Sequence, residues 1–184
     1  MKFISDILFW ISSGLLVPVV VLLIYFFGRS LLLLGGFFGQ YLNMRKESAI
    51  EAEHLAEGKS VAAAYARLIL ENKQSPARME HLLTEYETYC EKELSLPNTL
   101  IKMGPMLGLM GTLIPMGPAL VGLSTGDIAT MAYNMQVAFA TTVIGLFAAG
   151  IGFVTKQAKQ RWYKKSLNDL TYLVDLQQEG GEKA

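Results

Sequence analysis

The chain has 184 residues, of which 16 are Lys or Arg and 16 are Asp or Glu, so its formal net charge is zero. This balance gives no indication of a nucleic-acid partner, and none is expected. A single cysteine excludes an intramolecular disulfide and a Cys-cluster metal site, and we expect neither a metal nor a cofactor. His54 and His81 have no ligand-spaced partners and are interpreted as surface residues.

Three long intervals of the chain contain no charged residue. They lie between Asp6 and Arg29, between Lys102 and Asp127, and between Asp127 and Lys156. Because about 20 apolar residues in a helix cross the hydrocarbon core of a bilayer, each interval is long enough to span a membrane. The sequence therefore predicts an all-α membrane protein with three transmembrane helices in a lipid bilayer.

The first interval is interpreted as a retained span and not as a cleaved signal peptide. Its apolar run exceeds the roughly 7–15 residues of a signal-peptide core, and Asp6 stands where positive charge is expected. Behind Arg29 the run "LLLLGGFFGQYLNM" stays apolar. Either the helix continues inward as part of a bundle, or the span slides inward and the Arg29 side chain extends to the interface. Residues 1–44 are assigned to this helix and its continuation.

Residues 45–98 form the second predicted segment, which is rich in Glu, Ala, Leu and Lys. The stretch "SAIEAEHLAEGKSVAAAYARLILENK" predicts helix, interrupted near Gly58, with Ser60 as the N-cap of a second helix. Ser75 and Pro76 then fit the N-cap and the first position of a further helix. Two or three cytoplasmic helices are expected, with their charges on solvent-exposed faces.

The tail, residues 156–184, is predicted to form a cytoplasmic helix. Tyr163, Leu167, Leu170 and Val174 recur at spacings of three and four and make one apolar stripe. Such a stripe predicts packing against a neighbouring helix. The sequence leaves open whether that helix belongs to the same subunit or to another.

Basic residues near the span ends predict the orientation of the chain in the membrane. Arg45 and Lys46 follow the first span, whereas the "STGDIAT" link between the second and third spans has no basic residue. Five basic residues follow the third span: Lys156, Lys159, Arg161, Lys164 and Lys165. Because Lys and Arg accumulate on the cytoplasmic side, we expect an inner-membrane protein with its N-terminus outside and its C-terminus in the cytoplasm.

Residues 99–155 contain the second and third spans, and small or helix-weakening residues recur in both at every third or fourth position. The second-span stripe is Gly104, Gly108, Gly111, Pro115, Pro118 and Gly122, and the third-span stripe is Asn134, Ala138, Thr141, Gly145, Ala149 and Gly152. In lipid, such stripes allow helices to approach closely. They predict either packing of the two spans against each other or a groove that accepts other helices.

Two prolines give the second span a further property. Pro115 and Pro118 have no N–H, so the carbonyls of Gly111 and Ile114 lose their normal helical donors. Because a carbonyl in hydrocarbon needs a polar neighbour or water, the sequence predicts a kinked helix whose kink faces protein or water.

The same two spans contain hydroxyl groups but no ionisable side chain. Thr112 borders the second-span stripe, and Thr141 and Thr142 stand in the third span. Each threonine either bonds a carbonyl of its own helix or lines a polar pathway. Because a proton relay across hydrocarbon needs a titratable group, a partner must supply the carboxylate if ions pass.

The two spans resemble the MotA/TolQ/ExbB family of proton-channel subunits. "GPMLGLMGTL" is similar to the G-L-x-G-T core of that family, and Pro105 matches a proline common ahead of this core. "MQVAFATTVIGLFAAGIGFV" is similar to the next family span, with its A-T or T-T pair followed by G-L. The resemblance covers residues 103–165 well.

The resemblance implies a homopentamer around a pore that holds the helices of a dimeric, single-span MotB/TolR/ExbD-like partner. An aspartate on the partner helix takes up and releases protons, and ion flow drives relative rotation of the two rings of helices. Thr112 and Thr142 match the threonines that face this aspartate, and Thr141 matches an additional hydroxyl of the flagellar-motor branch. The implied function is that of a proton-channel subunit in a stator-type motor complex. Such a complex performs energy transduction to drive a process such as protein transport.

Two departures from the family pattern and one alternative function remain to be weighed. TolQ- and ExbB-like members usually carry a glutamate where this chain has Val137, and the cytoplasmic loop is short for a flagellar stator subunit, so the subfamily is open. A passive membrane scaffold that assembles a complex through the small-residue stripes is the alternative function. Enzymatic activity has no support, because the sequence shows no nucleophile–base pair, phosphate loop or metal constellation.

Overall fold

The structure, a computed structural model, describes residues 2–47, 58, 60–73 and 75–182. It contains four α-helices: α1 (Lys2–Glu47), α2 (Val61–Glu71), α3 (Pro76–Thr125) and α4 (Ile128–Glu182). These described residues contain no strand, and α1, α3 and α4 are each long and apolar enough to cross a membrane. The predicted all-α membrane class is therefore confirmed.

The helices predicted beside the spans are extensions of the spans themselves. α3 continues unbroken from the charged segment that precedes the second span through that span, and α4 continues from the third span into the tail. α3 contains four prolines, each of which removes one backbone donor without ending the helix: Pro97, Pro105, Pro115 and Pro118. α1 also continues to Glu47, and its most apolar stretch, Gly14–Phe37, includes Arg29.

The starts of α2 and α3 lie where the sequence predicts them. The Ser60 side chain caps α2 by accepting a hydrogen bond from the Ala63 N–H at 3.2 Å. α3 begins at Pro76, and the Ser75 carbonyl accepts hydrogen bonds from the backbone N–H groups of Arg78 and Met79 in the first turn. Residues 48–57 of the predicted cytoplasmic segment, which include His54, lie outside the described residues, as do residues 59 and 74.

The chain divides into two compact units. The hairpin unit comprises residues 1–34 and 97–154, and the bundle unit comprises residues 35–96 and 155–184. The hairpin unit contains the apolar parts of α1, α3 and α4. The bundle unit contains α2 and the charged extensions of the three longer helices.

The bundle unit has a continuous core that includes most of the predicted tail stripe. Tyr163, Leu170 and Val174 are buried in it, and Leu167 packs against it. The other core residues come from α2 and α3 and the tail: Ala62, Ala66, Ile69, Met79, Leu82, Tyr86, Cys90 and Leu173. The tail stripe therefore packs against helices of the same subunit, an alternative that the sequence left open.

One ion pair in the bundle unit contains a buried lysine. Lys159 is 5% exposed, and its Nζ atom lies 2.9 Å from the Glu93 carboxylate, which is partly exposed. Lys159 lies four residues before Tyr163 and therefore on the buried face of α4. Burial of this lysine requires the Glu93 carboxylate, because an unpaired charge in a protein interior is strongly disfavoured.

Tyrosine side chains surround the single cysteine of the bundle core. The rings of Tyr65 and Tyr86 meet edge to face at 5.3 Å between centroids, and Tyr86 stacks on Tyr89 at 6.4 Å. Burial raises the pKa of the Tyr86 and Tyr163 hydroxyls above the ordinary value for tyrosine. For Tyr163 the nearby Glu93 carboxylate adds to this effect on the pKa.

These raised pKa values predict an alkaline limit to stability. Because the folded pKa exceeds the unfolded pKa of about 10, the contribution of these two hydroxyls to stability is constant below about pH 9 and falls as the pH rises above about 10. In thermal unfolding of the purified protein between pH 7 and pH 12, the double variant Tyr86→Phe/Tyr163→Phe should lose less stability above pH 10 than the wild type. The control Tyr172→Phe, at an exposed position, should follow the wild-type profile. Identical alkaline losses in the double variant and the wild type would contradict the assignment.

Candidate functional site in the hairpin unit

The connection between α3 and α4 is short. Gly126 follows α3 with a φ of 77°, a left-handed conformation that favours glycine. Asp127 then caps α4, because its carboxylate accepts hydrogen bonds from the Thr130 N–H at 3.0 Å and from the Thr130 hydroxyl at 2.6 Å. These bonds hold the pKa of Asp127 below its ordinary value. Two residues therefore suffice to return the chain beside α3.

The backbones of α3 and α4 approach each other most closely at glycines. A Cβ atom placed on Gly104 would lie 2.6 Å from the Gly145 carbonyl oxygen, and one on Gly145 would lie 2.5 Å from the Gly104 carbonyl oxygen. A Cβ atom on Gly111 would lie 2.6 Å from the Cβ and Oγ1 atoms of Thr141. No side chain fits between the helices at these positions, so the contact requires glycine.

The same contact extends along both stripes. Gly108 lies against Thr142, and Ala149 lies against Gly104. A Cβ atom on Gly152 would lie 2.9 Å from the Pro97 carbonyl oxygen, and one on Gly122 would lie 3.0 Å from the Asp127 carbonyl oxygen. The structure therefore brings the two predicted stripes against each other within one subunit.

The other predicted stripe residues differ in exposure. Ala138 and Pro115 are buried, whereas Pro118 and Asn134 are half-buried. The Asn134 side-chain amide donates to the Thr130 carbonyl of its own helix at 2.8 Å. Pro105 is exposed and is not part of the contact between the stripes.

The three candidate threonines each donate a hydrogen bond to a carbonyl of their own helix. Thr112 Oγ1 donates to the Leu109 carbonyl at 2.8 Å, and Thr142 Oγ1 donates to the Ala138 carbonyl at 3.2 Å. Thr141 is buried against Gly111, and its hydroxyl lies within 3.1 Å of the Val137 carbonyl and 2.9 Å of the Ala138 carbonyl. Thr141 therefore belongs to the helix contact, whereas Thr112 and Thr142 are half-buried beside it.

α1 covers one side of the hairpin. Val19 and Leu23 of α1 form a core with Leu107, and hydrophobic residues of all three helices pack against this core: Phe26, Met103, Ile114 and Ile144. Each residue advances about 100° around a helix. Thr112, five positions after Leu107, is therefore about 140° away from the α1 contact on α3, and Thr142, two positions before Ile144, is about 160° away on α4. Both hydroxyls point to the side of the hairpin opposite α1.

Exposed apolar side chains surround these two hydroxyls. The residues three before and four after each threonine share its helical face, and all of them are exposed hydrophobic residues. We call this surface the threonine face, formed by Leu109, Thr112, Met116, Phe139, Thr142 and Leu146. Its only polar side-chain groups are two hydroxyls, which both donate and accept hydrogen bonds but do not titrate near neutral pH.

No pattern in the sequence indicates which face of α1 is buried. Residues 15–27 are apolar almost without interruption, so no periodicity marks Val19 and Leu23 as the buried pair. Within the part of the chain that the structure describes, no group of His, Cys, Asp or Glu is arranged to hold a metal ion. The threonine face is thus the candidate functional surface of the hairpin unit.

Comparison with known proteins places this hairpin in a family. The model of the MotA/TolQ/ExbB proton channel family matches residues 46–171, which is more than half of the chain and includes α2, α3 and most of α4. The match confirms the resemblance found in the sequence. No curated protein and no solved structure gives a significant match.

The close glycine contact predicts a strong difference between two substitutions in α4. Gly145→Leu should separate α3 from α4, because its side chain meets the Gly104 carbonyl and the Gly108 backbone. Gly150→Leu is the matched control, since a Cβ atom at Gly150 meets nothing within 4 Å. Yield of folded protein and melting temperature in detergent should fall for Gly145→Leu and stay near the wild-type values for Gly150→Leu. Equal tolerance of both substitutions would show that the close approach is not required.

Proposed function

Since the chain belongs to the MotA/TolQ/ExbB proton channel family, we propose that it is the wall-forming subunit of a membrane motor complex. In this proposal ions cross the membrane along the threonine face, and their flow drives the movement of partner helices. Moving one charge across 100 mV is worth about 2.3 kcal/mol. This energy biases a cycle between two arrangements of the partner helices.

The threonine face is the observation that carries the proposal. It lies opposite α1, is exposed and apolar, and holds two hydroxyls on adjacent helices. An apolar surface of this kind fits a partner that is itself a transmembrane helix. The hydroxyls fit one polar group on that helix, because an isolated polar group in hydrocarbon needs a hydrogen-bonding neighbour.

The polar group on the partner is proposed to be a carboxylate. No Asp, Glu, Lys, Arg or His lies between Lys102 and Asp127 or between Asp127 and Lys156. The hairpin therefore has no side chain that takes up and releases a proton inside the spans. A dimeric, single-span MotB/TolR/ExbD-like protein with a transmembrane aspartate supplies that group.

Each hydroxyl serves both protonation states of such a carboxylate. While the Thr112 hydroxyl donates to the Leu109 carbonyl, its oxygen still accepts a hydrogen bond from a protonated carboxyl group. When the carboxyl group ionises, the hydroxyl rotates and donates to it. The Leu109 carbonyl keeps the N–H of Leu113 as its helical donor. A hydrogen bond to the ionised group is worth about 1.5–3 kcal/mol, which lowers the cost of the charge in the membrane.

The assembly and topology follow the same proposal. Five copies surround the pore with α1 on the outside and the threonine faces towards the partner helices. The chain lies in the cytoplasmic (inner) membrane, with the N-terminus outside and the C-terminus in the cytoplasm. The basic residues behind the first and third spans support this orientation, because cytoplasmic span ends carry the excess of Lys and Arg.

A passive membrane scaffold is the second candidate function. The two stripes are accounted for by packing inside one hairpin, and each candidate threonine has a carbonyl acceptor in its own helix. A scaffold needs only these contacts and the bundle unit. It requires no chemistry from the hydroxyls.

Ion flux separates the two functions. Thr112→Val and Thr142→Val keep the shape of the side chain and remove the hydroxyl. With the partner co-reconstituted in proteoliposomes, each variant should conduct protons at least about ten-fold more slowly, because a charge-assisted hydrogen bond is lost. Thr171→Val is the matched control, since the exposed Thr171 hydroxyl bonds the Leu167 carbonyl in the bundle unit.

The scaffold makes the opposite prediction for the same variants. Their proton flux and assembly would equal those of the wild type, whereas Gly108→Leu, which places a side chain against Thr142, would break assembly. Wild-type flux in both threonine variants would therefore overturn the proposed channel function.

A further inference from the structure

We propose that a buried water molecule is bound in the bundle unit between the Thr155 hydroxyl and the backbone carbonyl of Glu93. The site requires neither ion flow nor a partner, so it is independent of the proposed function. Thr155 is fully buried, and its Oγ1 atom has no hydrogen-bond partner among the described residues. Buried hydroxyls are normally hydrogen-bonded, so this one points to a ligand.

Two contacts fix the position of Thr155 relative to α3. Gly152, three residues earlier, packs against the Pro97 carbonyl, and Lys159, four residues later, binds the Glu93 carboxylate. Residues at these spacings share one face of a helix. Because α3 and α4 run antiparallel, Thr155 lies between the two contacts, at the level of Leu96.

The backbone carbonyl oxygen of Glu93 lies at the same height along the helix pair as Thr155. A helical carbonyl points along the axis towards the residue four positions ahead, which here is Pro97. Pro97 has no N–H, so the Glu93 carbonyl lacks its normal helical donor. The Glu93 carboxylate and the Pro97 carbonyl both meet α4, so the Glu93 carbonyl between them lies on the α4-facing side of α3. Pro97 is fully buried, which keeps bulk solvent away from this carbonyl.

A water molecule satisfies both groups. It accepts a hydrogen bond from the Thr155 hydroxyl and donates one to the Glu93 carbonyl, and buried waters bind where two to four polar partners converge. The Lys159 ammonium, one turn further along α4, binds Glu93 through one of its three donors and is a candidate third partner. The inner end of the α3–α4 contact is then held by polar groups, in contrast to the glycine contact of the hairpin unit.

Substitution of Thr155 tests the water site in the full-length protein. Thr155→Val has nearly the same shape and removes the hydroxyl, so it should lower the melting temperature in detergent by about 3 °C or more. The control Thr171→Val, at an exposed hydroxyl, should change it by less than half as much. An unchanged or raised melting temperature for Thr155→Val would overturn the proposal, because removal of an unpartnered buried hydroxyl is stabilising.

A second substitution tests the identity of the acceptor. Pro97→Ala provides an N–H for the Glu93 carbonyl and competes with the water for it. Thr155→Val should therefore lower the melting temperature less in the Pro97→Ala background than in the wild type. Equal losses in the two backgrounds would exclude the Glu93 carbonyl as a partner.

A high-resolution density map decides the question even if a variant fails to fold. In the wild-type protein, a water should lie within about 3.2 Å of both Thr155 Oγ1 and the Glu93 carbonyl oxygen. A Thr155 hydroxyl turned onto the Ile151 carbonyl, with no water beside it, would overturn the proposal.

Discussion

The close approach of the α3 and α4 backbones is the constraint on which the hairpin unit depends. At Gly104, Gly111 and Gly145 even a methyl group would meet atoms of the other helix within 2.6 Å. Because lipid is as apolar as the side chains, helix association in a membrane relies on contact between atoms and not on apolar burial. Each glycine costs about 1 kcal/mol of helix propensity relative to alanine. That cost is offset by close packing along the whole contact.

This contact also determines which side chains lie on the two remaining sides of the hairpin. With the glycine stripes turned towards each other, α1 covers one side through Val19 and Leu23, and the opposite side is left with Thr112 and Thr142. Thr141, next to Thr142 in the chain, points into the contact and is buried. Two adjacent hydroxyls thus have different surroundings, and only Thr142 lies on the face that we propose to meet a partner.

The bundle unit is stabilised differently from the hairpin unit, by an aromatic core and the Lys159–Glu93 ion pair.

Much of the fold was predictable from where charges are absent and where helices begin. The three uncharged intervals gave the spans, and the capping residues Ser60 and Ser75 gave the starts of α2 and α3. The stripes were also visible, but spacing alone does not tell which helix a stripe contacts. Glycines at every third or fourth position suit the neighbouring span and a foreign helix equally well. Only the contacts themselves show that the two stripes face each other.

Other features had no sequence signal or a misleading one. The spanning part of α1 is apolar on all sides, so no periodic pattern in its sequence marks the buried face. Lys159 entered the sequence analysis only as a basic residue that predicts the orientation, although its position one turn before Tyr163 places it on the buried face of α4. The four prolines of α3 do not end the helix, since each proline removes a single backbone donor. Burial of a charge and continuity of a helix both depend on neighbours that the sequence does not identify.

The most direct test of a pore-lining hairpin is the mass of the intact complex. The protein would be purified in detergent with and without a coexpressed single-span protein that carries a transmembrane aspartate, and weighed by native mass spectrometry. A pentamer that takes up two partner copies is the result expected if the threonine faces surround partner helices. A monomer or dimer whose mass does not change with the partner would contradict the pore and leave the hairpin as a scaffold.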